Sequence, residues 1–168
     1  MITTASIRYA TLDDINTIGF LAQQIWPAAY GGILAQDKID YMLNLMYSPS
    51  SLAKQMIDQK HNFLVMEEEE EPVGFASFSA LPGNKKYKLH KLYLLTDRQG
   101  KGMGKAMVDF IAEEISPMGA VALEVNVYRE NKAVEIYQRL GFTVTGEIDL
   151  DIGNGFFMND YVMEKKLG

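Results

Sequence analysis

The chain has 168 residues, 48% of them apolar, and a formal net charge of −6. That length and apolar share fit a single domain over residues 1–168 with a full core, and the negative balance argues against nucleic acid as the main partner. No cysteine is present and the only histidines are His61 and His90, which excludes disulfides, thiolate nucleophiles and cysteine metal sites and disfavours a histidine-rich one.

The opening stretch, MITTASIRYATLDD, lacks the basic start and long apolar core of a signal peptide. No apolar run approaches transmembrane length. The expectation is a cytoplasmic protein with no membrane partner.

Ile2 to Ala10 reads as a strand, Ile7 and Tyr9 alternating with Ser6 and Arg8. Thr11 suits an N-cap, with Asp13 and Asp14 favouring the helix dipole in the first turn. Ile15, Ile18, Leu21, Ala22 and Ile25 recur at helical spacing. Pro27, Gly31 and Gly32 are expected to break that helix. Ile39, Met42, Leu43 and Met46 predict a second helix, and Ser48-Pro49 caps a third carrying Leu52, Met56 and Ile57.

Phe63 to Glu68 is the next strand. Glu67 to Glu71 is an unbroken acidic run before Pro72. It reads as a solvated hairpin turn held open by like charge, with a cation-binding patch as the weaker alternative. Val73 to Leu81 returns as a strand, Pro82-Gly83-Asn84 turns, and Lys86 to Leu95 is strand again. Met103, Met107, Phe110, Ile111 and Ile115 then recur at helical spacing, and Ser116-Pro117-Met118-Gly119 ends that helix. Val121 to Val127 reads as a buried strand. Asn131 opens a helix with Ala133, Ile136, Tyr137 and Leu140 inward and Gly141 at its C′ position. Phe142 to Asp149 and Phe156 to Lys165 form a closing hairpin. The crossover from Lys86 to Val127 is expected to be parallel and right-handed.

The most informative stretch is Asp97 to Met107, DRQGKGMGKAM. Gly100, Gly102 and Gly104 alternate with other residues between a strand and a helix. Glycine lets the backbone adopt positive φ and approach a ligand closely. The first N–H groups of a helix lack internal partners and carry partial positive charge, so the stretch suits a phosphate. Two common glycine codes fail here. In a P-loop alignment on Gly104-Lys105, Gln99 occupies the first glycine and Ala106 the Ser/Thr that ligates magnesium. A dinucleotide fingerprint breaks at Met107 in one frame and at Lys105 in the other.

What remains, Gln99-x-x-Gly102-x-Gly104, resembles the acyl-CoA pyrophosphate loop of the GNAT superfamily of N-acetyltransferases. A second piece, Asn131-x-Ala133-x-x-x-Tyr137-x-x-x-Gly141-Phe142, is similar to the other signature of that family, shortened by one residue after the asparagine. Asn126, at the end of the preceding strand, also fits. The resemblance covers the chain from about Phe63 onward. It implies an α/β (α+β) GNAT fold: a mixed, mostly antiparallel sheet of six to seven strands with helices on both faces.

The resemblance further implies direct transfer of acetyl from acetyl-CoA to a primary amine, a small polyamine-like molecule in particular. A protein N-terminus or lysine and a non-catalytic acyl-CoA-binding regulator are the competing readings. The N–H groups from Gln99 through Gly100, Lys101, Gly102, Met103 and Gly104 to Lys105 would hold the pyrophosphate. Arg98, Lys101 and Lys105 would add charge. Leu92, Leu94, Asn126, Asn131, Ala133 and Tyr137 complete the expected acetyl-CoA site.

For the chemistry, the resemblance assigns a backbone N–H near Leu94 to the thioester oxygen. Tyr137 matches the family's general acid, a phenol that stays protonated at neutral pH. His90 stands where many relatives have a basic glutamate, two residues before Leu92 on the same strand face; Glu124 or a water chain is the alternative base. Trp26, Tyr30, Tyr41 and Tyr47 are candidates for the wall of an amine pocket. No metal site is expected. The partners are acetyl-CoA and an amine, without nucleic acid or membrane, and a homodimer is left open.

Overall fold

The computed structural model describes residues 5–168. The strands are β1 (Ala5–Tyr9), β2 (Asn62–Glu68), β3 (Glu71–Ala80), β4 (Lys86–Leu94), β5 (Ala122–Tyr128), β6 (Thr143–Gly153) and β7 (Phe156–Lys166). The helices are α1 (Ile15–Tyr30), α2 (Gln36–Tyr47), α3 (Pro49–Ile57), α4 (Met103–Ile115) and α5 (Ala133–Arg139). One seven-stranded sheet runs β1-β2-β3-β4-β5-β7-β6. β4 and β5 pair parallel, from Lys86↔Ala122 to Leu89↔Val125, as the crossover requires. The chain divides into two compact units, one holding the residues up to Ser79 with Lys91–Phe110, the other Ala80–His90 with Ile111–Gly168.

In the first unit the expected strand is shorter, β1 starting at Ala5; its predicted start at Ile2 lies outside the described residues. Thr11 caps a single 3-10 turn over Leu12–Asp14 that feeds α1. The Thr11 hydroxyl accepts from Asp13 N at 3.3 Å, and the Asp14 carboxylate accepts from Thr11 N at 2.8 Å. Arg8 holds Asp14 at 2.8 Å and Glu67 at 2.9 Å, and its hydrogen bond keeps the Asp14 carboxyl below the usual carboxylate range.

One expectation is corrected here. α1 does not break at Pro27 but runs through it to Tyr30. Pro27 donates nothing back along the helix, yet residue Gln23, four positions earlier, is exposed, so its carbonyl can be met by solvent. The next turn closes normally, with Gly31 N on Pro27 O at 2.8 Å. Ser48 caps α3 as expected, its side chain accepting from Ser51 N, with Pro49 at the first position.

The acidic run is the β2–β3 turn. Glu69 and Glu70 sit at φ 51° and 69°, the positive pair of a two-residue hairpin turn. Along β3, Phe75 packs edge-on against Tyr47 of α2, ring centroids 5.8 Å apart. Phe78, of opposite parity, packs on Tyr9, which meets Phe110 of α4 at 6.1 Å. Helices therefore cover both faces of this half of the sheet. Ile18, Leu52, Leu64, Phe75 and Met107 are fully buried, each contributing about 1.5–3 kcal/mol of transfer free energy.

β3 and β4 approach unusually closely at Gly74. A Cβ there would lie 2.7 Å from the Tyr93 carbonyl oxygen and 2.5 Å from Leu94 Cδ2. Gly74→Ala must push β4 away at the residue expected to hold the thioester oxygen. We expect a stability loss of about 1–3 kcal/mol and a fall in kcat. Denaturant melts and steady-state rates check this; wild-type values for both would contradict it.

In the second unit β5 and β7 pair antiparallel from Ala122↔Lys166 to Tyr128↔Asp160, and β6 lies outside β7. Asn154 and Gly155, at φ 54° and 77°, make the β6–β7 turn. α5 starts at Ala133, later than expected, because Asn131 caps it from outside: its Oδ1 accepts from Ala133 N at 2.9 Å. Gly141 takes the C′ position at φ 98°. Tyr137 is buried as expected, but Ile136 is 49% exposed: seven residues of helix turn only a narrow stripe inward.

Candidate active site

The glycine loop lies wholly in the first unit. β4 ends at Leu94, a 3-10 turn follows over Thr96–Arg98, and α4 begins at Met103. Gly100 and Gly102 sit at φ 78° and 79°, with nothing within 4 Å of a Cβ built on either. The α4 ladder begins with Ala106 N on Gly102 O at 3.0 Å. The N–H groups of Met103, Gly104 and Lys105 precede it and have no carbonyl one turn back within the helix. Met103 turns its side chain into the core, which leaves its main chain as the group it offers. Two left-handed glycines in open space beside a helix N-terminus fit a diphosphate.

The loop's side chains do other work. Gln99 Nε2 donates to Leu94 O at 3.3 Å, bracing the loop against the strand end. Arg98 sits 3.1 Å from Glu68 and 2.7 Å from Asp97, and Lys105 2.6 Å from Asp109. Lys101 is exposed. Two of the three cations expected to add charge are thus already partnered by carboxylates.

The alternation along β4 holds for Tyr87, Leu89 and Lys91, all buried, and then lapses. Leu92 and Tyr93 are both half-buried before Leu94 is buried again. A strict two-residue period from His90 therefore does not extend to Leu94. His90 is half-buried and belongs, with Asn126, Asn131, Ala133 and Tyr137, to the second unit.

There Tyr137 is 8% exposed and meets Phe142 edge-on at 5.2 Å, and Phe142 N donates to Tyr137 O at 3.0 Å. Asn126 Oδ1 is buried with no hydrogen-bond partner. A buried acceptor left without a donor costs about 1–3 kcal/mol, so this oxygen is suited to an amide N–H of a bound ligand. Asn131 Oδ1 is committed to its helix cap, which leaves its amide as donor.

Sequence reasoning named Trp26, Tyr30 and Tyr47 as candidates for a pocket wall but not what they pack against. Trp26 Nε1 donates to Tyr47 OH at 3.3 Å, and the Tyr30 and Tyr93 hydroxyls lie 3.0 Å apart. Trp26 stands 4.5 Å from Tyr30 and 5.7 Å from Tyr93, ring to ring. Tyr41 is half-buried on α2. Burial pushes the Tyr47 phenol up, so it stays protonated.

Lys91 was also missed, because a strand of alternating Lys and apolar residues reads as exposing its lysines. It is 8% exposed. Its ammonium donates to Gln55 Oε1 at 2.7 Å and lies 5.6 Å from the ring centres of both Tyr47 and Phe63. Burial holds its pKa down to about 8. The unfolded chain therefore binds this proton when the folded chain has lost it, between about pH 8 and the ordinary lysine value near 10.4. Stability contributed by Lys91 must rise across that window, and its penalty is fully present below it. Relative to Lys91→Met, the wild type should gain roughly 3 kcal/mol between pH 7 and pH 10.5. Denaturant melts of both proteins at the two pH values check this; a constant difference would contradict it.

Among the described residues, no group of His, Asp and Glu side chains is arranged to hold a metal ion, and no helix is long and apolar enough to cross a membrane.

Comparison with known proteins supplies the family. The chain is 29% identical over 136 residues to an uncharacterized N-acetyltransferase, YuaI, of Bacillus subtilis, spanning 79% of this chain and 77% of that one. It is 25% identical over 165 residues to a spermidine N(1)-acetyltransferase of Thermoplasma acidophilum, spanning 95% and 96%. A crystal structure of a PaiA N-acetyltransferase from Thermoplasma acidophilum in complex with coenzyme A matches with a TM-score of 0.83 over 97% of this chain and 99% of that one. Its 24% identity speaks to the fold alone. The family model described as an acetyltransferase (GNAT) domain matches residues 34–165, from just before α2 to Lys165 near the end of β7. On that match the chain belongs to the GNAT acetyltransferase family and is an N-acetyltransferase with acetyl-CoA as its donor.

Proposed function

We propose that the acceptor is a primary amine on a small, polyamine-like molecule. The observation that carries this reading is the half-buried Tyr93, whose hydroxyl meets that of Tyr30 and whose ring stands 5.7 Å from Trp26, backed by the buried rings of Trp26, Tyr30 and Tyr47. Ring faces attract ammonium groups, and hydroxyls can accept their protons' hydrogen bonds. The net charge of −6 favours the approach of a polycation. Relatives at 25–28% identity named for spermidine or spermine acetylation agree with it.

Within this reading the loop from Gln99 to Lys105 holds the diphosphate through main-chain N–H groups, and Leu92, Asn126, Asn131 and Ala133 contribute to holding the rest of the donor. The Leu94 N–H serves the thioester oxygen, Tyr137 returns a proton to the leaving sulfur, and His90 relieves the ammonium of its proton before attack. A direct transfer of this kind needs no cysteine, and the chain has none.

The test is thiol release from acetyl-CoA across an amine panel of spermidine, spermine, monoamines, lysine and peptides with free N-termini. Release with the polyamines at the lowest KM is expected. Release only with peptides would replace this reading with protein acetylation, and coenzyme A binding without release by any amine would replace it with a regulator.

A further inference from the structure

Among the described residues, no carboxylate stands against the buried ammonium of Lys91. It donates to Gln55 Oε1, 2.7 Å away, and the faces of Tyr47 and Phe63 flank it. Gln55 is fixed in turn, its Nε2 donating to Met46 O at 2.7 Å and to Ser51 Oγ at 3.1 Å. Lys91 thus ties β4 to α3 and to the C-terminal end of α2. From Tyr47 the connection continues through the Trp26 indole N–H to the ring of Tyr30 and the ring of Tyr93. A methionine would fill the same space without the desolvation cost of a charge, so the cation is expected to have a use.

We infer that Lys91 is a positioning residue for the acceptor side of the site: its charge clasps Tyr47 against β4 and thereby fixes the Trp26–Tyr30–Tyr93 wall. This rests on the reading of that wall as the amine site. Cation–π attraction and the charge-assisted bond to Gln55 both weaken when the ammonium loses its proton. The titratable groups on the elements packed against it are few. Tyr47 stays a phenol. His61, just before β2, donates its main-chain N–H to the Gln55 carbonyl at 2.9 Å. Lys54 on α3 and Asp58 just after it are exposed, and Tyr93 follows on β4.

Trp26 is the chain's single tryptophan, so its emission reports on this wall without any substrate. The wild type should show a change in Trp26 emission with a midpoint near pH 8, and Lys91→Met should lack it while keeping a cooperative melt. In kinetics with spermidine, the amine KM of Lys91→Met should exceed that of the wild type by about tenfold at pH 7, and the ratio should fall towards one above pH 8. The acceptor's own ionisation cancels in the ratio, and the KM for acetyl-CoA should stay within about twofold. Should Lys91→Met not fold, Gln55→Glu places a carboxylate on the ammonium and should move the emission midpoint to higher pH.

An emission profile flat from pH 7 to 9.5 would overturn the inference. So would a profile unchanged in the variants, or an amine KM ratio that does not vary with pH. An enzyme that accepts no amine at all, yet shows the Trp26 transition, would overturn the acceptor's part of it and the proposed function together, leaving the clasp itself in place.

Discussion

Gly102→Glu should lower acetyl-CoA affinity by at least about 100-fold, near 2.7 kcal/mol, in a protein that still folds. Gly102 sits at φ 79° with open space where a Cβ would go. The fold therefore has room for the side chain, and the strain of a left-handed non-glycine residue is about 1–3 kcal/mol. The new carboxylate would stand where the diphosphate is expected and repel it. Gly83 gives the matched control: it is left-handed at φ 91° and equally open, in the turn after β3. Gly83→Glu introduces the same charge and strain and should leave affinity within about twofold. Calorimetric titration of both variants with acetyl-CoA separates the outcomes. Wild-type affinity in Gly102→Glu would remove the loop assignment.

Tyr137→Phe should lower kcat by about 10²–10³-fold, in the range for loss of a general acid, with acetyl-CoA affinity unchanged within about twofold. Phenylalanine keeps the edge-on packing against Phe142 at 5.2 Å, so the fold should lose no more than about 1 kcal/mol, the size of one hydrogen bond. Stopped-flow turnover and a thermal melt on the same sample test both halves. Turnover equal to the wild type would leave Tyr137 a packing residue of α5, and a collapsed melt would do the same for any rate loss.

How far the sequence was legible follows from how local each signal is. The strand–glycine–helix order and the hairpin turn at Asn154-Gly155 depend on backbone conformations that only a few residues favour, and both appear where the residues stand. Pro27 misled because its effect depends on whether a carbonyl one turn earlier reaches solvent, which a linear reading does not contain. Ile136 misled because a short helix offers a narrower buried stripe than its apolar content suggests. The loop's left-handed glycines and helix start were readable, whereas the pairing of Arg98 with Glu68 and Lys105 with Asp109 was only half so. The second is a helical i,i+4 pair, and the first joins residues far apart in sequence.

Lys91, Gln55, Gly74 and Tyr93 could not be found by motif. Each matters through a neighbour brought in by sheet pairing or helix packing. Gly74 in particular carries no left-handed φ and reads as an ordinary strand glycine until the carbonyl of Tyr93 is seen 2.7 Å from where its Cβ would be. Such a glycine inside a strand pattern is a cue for close backbone approach, and it was the one signal available.

The central claim, that main-chain amides at the junction of β4 and α4 hold the donor's diphosphate, is tested most directly by a crystal structure with acetyl-CoA bound. The diphosphate oxygens should lie about 2.7–3.2 Å from backbone nitrogens between Gln99 and Lys105, with Gly100 and Gly102 still left-handed. A diphosphate held by side chains elsewhere, with those amides facing solvent, would contradict the account.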